Sequence, residues 1–169
     1  SGGDFDKSDI EKVIIVNEIH PTSMENAFAG CTLLTEFENI EKLKTDKVTS
    51  MKSAFQDCTS LTSLNLSDFN TASVTTMENM FNNCFSLESL NISNFVTTSV
   101  TNMSGMFAHC QSLESLSVSS FNTANVTTMD NMFNECYGLT TLNVSNFNTQ
   151  KVTNMSGMFS NTGYNSTVF

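Results

Sequence analysis

The chain has 169 residues, 39% hydrophobic and 14% charged, with 17 acidic residues against 7 lysines and no arginine, for a net charge of -10 and a pI near 4.3. That length suits one domain, and the missing basic stripe argues against nucleic acid and against an anionic membrane surface. The longest unbroken apolar run is Val13 to Val16, too short for a membrane span or the core of a signal peptide.

Ser1-Gly2-Gly3 has no initiator methionine and reads as a trimmed start. Val13 to Val16, framed by Glu11, Lys12 and Glu18, reads as a strand that seals the first coil, so residues 1–21 are expected to form an N-terminal cap. Charge then thins out along the chain. Residues 1–58 hold six lysines and eleven acids, and residues 59–169 one lysine and six acids, so each part nets -5. Nearly half of the second part is Ser, Thr or Asn, a composition that suggests disorder until its regular apolar residues are seen.

Those apolar residues repeat, and the repeat sets the architecture. Phe55, Phe81, Phe107, Phe133 and Phe159 stand 26 apart, with Phe28 preceding them by 27. Cys58, Cys84, Cys110 and Cys136 keep the same step behind Cys31. All 10 methionines fall in two columns, four residues before and immediately before the phenylalanine. A Val-Thr pair (Val48, Val74, Val100, Val126, Val152) precedes them, and a Leu-x-x-Leu-x-apolar-x-x-Phe run such as Leu87, Leu90, Ile92 and Phe95 follows the cysteine.

Within one repeat the local period changes. Met77, Met80, Phe81 and Cys84 fall at i, i+3, i+4 and i+7, which predicts a short helix, with Thr75 and Glu78 as a capping box. Leu90-Asn91-Ile92 alternates apolar with polar and predicts a short strand. A two-turn helix does not stand alone in water, so the copies must stack, with their columns as ladders through a core. Gly105 and Gly157 alternate with Asn79 and Asn131 at one position, which suggests duplication of a two-repeat unit.

The runs Cys84-Phe85-Ser86-Leu87 and Val100-Thr101-Asn102-Met103-Ser104-Gly105-Met106-Phe107 resemble the 26-residue repeat of bacterial surface proteins, a BspA-like branch of the leucine-rich repeats. The resemblance spans roughly residues 22–160. It implies an α/β repeat solenoid, a leucine-rich-repeat-like right-handed coil of about six turns with a parallel β-sheet on one face and short helices or turns on the other. It also implies display outside a bacterial cell in adhesion or host contact, and no catalytic residues. Phe69, Phe95, Phe121 and Phe147 stand where ordinary leucine-rich repeats carry a ladder asparagine, so Asn70, Asn122 and Asn148 are expected to satisfy the backbone instead.

Candidate chemistry is sparse. The cysteine column reads as buried thiols, because stacked residues point their Cβ bonds alike and no C-x-x-C spacing occurs. His20 and His109 have no metal-ligand neighbours at the right spacing, and no Ser-His arrangement suggests a nucleophile, so no metal, no cofactor and no enzyme activity are expected. Glu88 and Glu114 share a column; the pair could hold calcium or act on a sugar, and reads more plainly as solvated charge. The polar strand positions offer a better face: Ser63, Asn65, Ser67; then Ser89, Asn91, Ser93; then Ser115, Ser117, Ser119; then Thr141, Asn143, Ser145. With Glu88 and Glu114 on its border, this face is the candidate contact surface for a host or matrix protein or a glycan, without nucleic acid or membrane insertion, on a monomer. A spacer holding another domain away from the wall is the alternative. Residues 161–169, where Thr162 replaces the cysteine and Asn165 the leucine, are expected to form a C-terminal cap or tail after the solenoid of residues 22–160.

Overall fold

The computed structural model describes residues 6–163. The 26-residue copies stack in parallel and are bonded through two separate backbone ladders, the first of them discontinuous. The first uses four three-residue strands. Strand β1 (Lys12–Ile14) pairs with β2 (Glu36–Glu38) in register Lys12 to Glu36, and β3 (Ser63–Asn65) pairs with β4 (Ser89–Asn91) in register Ser63 to Ser89. The second is a run of parallel bridges through Ser50, Thr76, Asn102, Thr128 and Asn154.

Near the N-terminus a strand forms, one residue earlier than the apolar run suggests. Ile15 is buried while Ile14 and Val16 point out, as strand alternation requires. Lys12 holds it in register by pairing with Glu38 at 2.8 Å and Glu36 at 3.2 Å. Residues 1–5 and 164–169, including the expected outer ends of both caps, lie outside the described residues.

The expected continuous sheet is interrupted. Among the described residues no strand pair or bridge joins Glu36–Glu38 to Ser63–Asn65, or Ser89–Asn91 to the copy carrying Ser115, and pairing resumes as a single bridge from Ser115 to Thr141.

The expected helices do not form. The segment Met77 to Cys84 turns twice through the left-handed region, at Asn79 (φ 53°) and Asn83 (φ 62°), and an α-helix cannot pass through such residues. The same two positions are left-handed in every copy: Asn26, Ser53, Asn79, Gly105, Asn131 and Gly157, then Gly30, Asp57, Asn83, His109, Glu135 and Asn161. Asn, Asp and Gly tolerate this conformation best, and they fill most of these positions. Backbone bonding explains why the ribbon wins over the helix. Alternate amides bond locally, as Met80 N to the Met77 carbonyl (3.2 Å), while the others cross to the next copy, as Asn79 N to the Ser104 carbonyl (2.9 Å) and Phe81 N to the Met106 carbonyl (2.9 Å). A helix would satisfy itself and leave the copies joined only by side chains. The helical spacing of Met77, Met80, Phe81 and Cys84 still places all four in the core, because the turn ribbon brings the same positions inward.

Thr75 is consequently no cap. Its hydroxyl donates to the Thr49 carbonyl at 3.1 Å, and Glu78 pairs with Lys52 at 3.0 Å. The capping of the turn falls to Thr76, whose Oγ1 accepts from Glu78 N at 3.3 Å.

From the methionine of each turn onward the cross-copy amides donate toward the C-terminal end, as Met77 N to the Asn102 carbonyl, whereas the threonine two residues before it donates back, as Thr101 N to the Thr75 carbonyl at 2.9 Å. Among the described residues the amides of Met155, Gly157, Phe159 and Asn161 therefore lack acceptors, while at the opposite end the Lys7 ammonium donates to the Asn26 carbonyl at 2.8 Å and the Ala27 carbonyl at 3.3 Å.

The core is the set of ladders. Phe28, Phe55, Phe81, Phe107, Phe133 and Phe159 form one continuous ring stack, with centroids 5.4 to 5.7 Å apart. Offset stacking at that spacing is favourable beyond simple burial. Met77, Met80, Met103, Met106, Met129 and Met132 are fully buried beside it, where unbranched thioethers fill the gaps between rings.

Candidate functional site

The residues expected to form a contact face lie almost entirely at the surface. Ser63, Asn65, Ser89, Asn91, Ser93, Ser115, Ser117, Ser119, Thr141, Asn143 and Ser145 are exposed, and Ser67 is half-buried. Strand pairing brings Ser63 beside Ser89 and Asn65 beside Asn91, and the bridge brings Ser115 beside Thr141. The gap after Asn91 divides the face into two patches.

Much of its hydrogen-bonding capacity is already used. The Oδ1 atoms of Asn65, Asn91 and Asn143 accept from the amides two residues on, Ser67 (3.1 Å), Ser93 (3.2 Å) and Ser145 (3.0 Å). These are Asx turns, which end each strand. Ser117 stands in the same column without an amide group, and its hydroxyl bonds Ser119 at 3.1 Å instead. What the face offers a ligand is the free Nδ2 groups and the serine hydroxyls.

Glu88 and Glu114 line one shallow cleft of about 580 Å³ with Gln111, Ser112, Gly138 and Thr140. Both carboxylates are exposed. Among the described residues no group of three or more His, Cys, Asp or Glu side chains is placed to hold a metal ion.

The five cysteines are free and buried. Each thiol from Cys58 onward donates across the copies to a phenylalanine carbonyl: Cys58 to Phe28 (3.3 Å), Cys84 to Phe55 (3.2 Å), Cys110 to Phe81 (3.3 Å) and Cys136 to Phe107 (3.1 Å). In the next copy Thr162 Oγ1 makes the same bond to Phe133 at 2.8 Å, so the replacement keeps the donor. Burial pushes the Cys84 and Cys136 thiols up to about 12, and Cys58 and Cys110 also well above the ordinary value. Such thiols do not ionise near neutrality and are poor nucleophiles and metal ligands.

Two features were not read from the sequence. One is a column of buried threonines, Thr45, Thr71, Thr97 and Thr123, whose 26-residue spacing was a visible signal once the strand ends are placed. They do the work expected of Asn70, Asn122 and Asn148, which instead form Asx turns to Ala72, Ala124 and Gln150. The other is a polar groove of about 360 Å³ along the turn ribbon, floored by Gly105 and walled by Asn79, Asn82, Asn131 and Asn134.

The alternation of Asn and Gly in the sequence was its signal. A Cβ on Gly105 would stand 2.2 Å from Asn79 Oδ1, and one on Gly157 would stand 2.4 Å from Asn131 Oδ1. The asparagine amide of one copy lies where the next copy's side chain would begin, so glycine must follow it. At the groove's side Asp130 accepts from Ser104 (2.6 Å) and Thr128 (2.5 Å), and these hydroxyls, Ser104 foremost, hold its carboxyl below the usual range. His109 Nδ1 meets Glu135 Oε2 at 3.0 Å, and the His109 ring packs edge-on to Phe85.

A search of curated proteins finds no match. The family model described as "Mycoplasma protein of unknown function, DUF285" matches residues 22–116 and again residues 85–168, and its two overlapping matches follow the repeats that stack in the fold. The chain is a repeat protein belonging to the DUF285 family.

Proposed function

We propose that the chain is a non-enzymatic binding module displayed outside a bacterial cell, a right-handed solenoid of the BspA-like, leucine-rich-repeat kind that presents its Ser- and Asn-lined strand positions to a host or matrix protein or glycan. The observation that carries this reading is the alignment of Ser63 with Ser89 and Asn65 with Asn91, an exposed, uncharged row of short donors and acceptors repeated from copy to copy. Solenoid faces commonly serve as extended binding surfaces. The burial of every described cysteine supports a role without thiol chemistry. Replacing Ser63, Ser89 and Thr141 together by Lys tests the face without touching the Asx turns. Adhesion to immobilised matrix proteins or arrayed glycans should fall while the thermal midpoint holds.

A second reading is favoured by one observation. Asn65, Asn91 and Asn143 spend their carbonyl oxygens on Asx turns, as a spacer that binds nothing would. Adhesion unchanged by the triple substitution supports that reading.

A further inference from the structure

The groove on the turn ribbon is built from two copies of one device. Asn82 Nδ2 donates to Asn79 Oδ1 at 3.1 Å, and two coils later Asn134 Nδ2 donates to Asn131 Oδ1 at 3.4 Å. Each bond leaves one amide nitrogen and one amide oxygen without a partner among the described residues, a donor and an acceptor on one linked pair of side chains. Vicinal hydroxyls of a pyranose, each both donor and acceptor, match such a pair. Between the two devices Gly105 removes any side chain, and Asp130 sits fixed by Ser104 and Thr128 with its second carboxylate oxygen unused. The groove has an aromatic border: Phe85 is 38% exposed and packs against His109 of the groove wall.

We propose that this groove binds a linear, neutral oligosaccharide of the β-1,4-linked class, lying along the stack axis. Three observations select that class. Among its described lining residues the groove has no lysine, its one histidine faces Glu135, and Lys52 nearby is engaged by Glu78, so an anionic polymer meets no free ammonium. The donor-acceptor device occurs in two coils, two steps apart, and is absent from the coil between. In a β-1,4 chain alternate sugars are flipped, so equivalent hydroxyls recur every second unit. The coil step, set by the parallel backbone bonds between neighbouring coils at about 4.8 Å, is close to the advance of one such sugar. Phe85 gives the apolar face of a pyranose an aromatic surface at the rim. The site lies on the turn ribbon, apart from the strand positions, and does not rest on their proposed role.

Calorimetric titration of the full chain with cellohexaose, chitohexaose and, as a geometric control, the helical α-1,4-linked maltohexaose tests this. At least one β-1,4 hexaose should bind, about tenfold more tightly than its disaccharide and than maltohexaose. The paired substitution Asn82→Ala with Asn134→Ala should weaken that binding about tenfold, as should Asp130→Asn by itself, so a fold defect in one variant leaves the other as a test. The Lys triple on the strand face should leave it unchanged. Absence of heat with both β-1,4 hexaoses, equal binding of maltohexaose, indifference to both groove variants, or loss only in the strand-face triple would each overturn the proposal.

Discussion

Thr97 Oγ1 donates to the Asn122 carbonyl at 2.9 Å and accepts from the Asn122 amide at 2.8 Å, so a single hydroxyl satisfies both backbone groups of a residue in the next coil. Thr71 does the same for Val96, and Thr123 for Asn148. All three threonines are at most 1% exposed, where an unpaired backbone group has no water to turn to.

Thr97→Val keeps the shape and removes the hydroxyl. Two backbone groups are left unpaired, and the expected loss is about 2–4 kcal/mol. Urea unfolding measures it, with a lower midpoint at unchanged slope. Thr98→Val, one residue along at an exposed position, should cost little.

Gly105→Ala should destabilise through the 2.2 Å approach to Asn79 Oδ1 and through its positive φ of 61°. Gly30→Ala serves as the reference, because a Cβ there meets nothing within 4 Å and carries only the cost of its φ of 80°, about 1 kcal/mol. Thermal midpoints should place Gly105→Ala clearly below Gly30→Ala. Adding Asn79→Ala should recover part of the difference, the mark of two residues that share one space.

The buried thiols give stability an alkaline limit. A thiol whose folded value is raised keeps its proton in the folded state after the unfolded chain has lost it. Its stabilising share is complete below the ordinary value of 9.0 and disappears as pH climbs toward about 12 for Cys84 and Cys136. Each such thiol costs up to about 1.4 kcal/mol per pH unit within that window. The urea midpoint should therefore hold from pH 7 to pH 9 and fall steeply above it, less steeply in Cys110→Ala. At pH 8 a thiol reagent should find few reactive groups in native protein and all 5 after denaturation. Five reactive thiols without denaturant would contradict a buried column.

Far-UV circular dichroism should lack the double minimum of α-helix, since the described residues contain only two single-turn 3-10 segments, Lys7–Asp9 and Ile40–Lys42. This is also where sequence and structure part most clearly. The apolar spacing Met77, Met80, Phe81, Cys84 marks which residues face inward, and it does so correctly. It does not report backbone conformation, because a ribbon that passes through the left-handed region at Asn79 and Asn83 brings the same positions inward. The deciding signal lay in the polar residues between, Asn79 and Asn83, whose tolerance of positive φ outweighs the capping-box pattern of Thr75 and Glu78.

The polar strand face was legible as a row of exposed side chains, because period-two alternation determines which way they point. Its interruption after Asn91 was not, since strand pairing is a property of two coils and the repeat shows only one. The groove was half legible. Asn79 with Gly105 stood out as a pattern, but the reason that glycine follows asparagine is a contact across coils, invisible until the coils are placed side by side.

The coils are joined by backbone bonds of a turn ribbon and are not independent helices. Amide hydrogen exchange tests it at named positions. Asn79, Phe81 and Asn83 donate to the next coil and should be strongly protected. Phe159 and Asn161, at the equivalent places in the last described coil, have no acceptor among the described residues and should exchange fast. Strong protection of Phe159 and Asn161, which an i to i−4 helix over Met155 to Thr162 would confer, together with fast exchange at Asn79, would contradict the account.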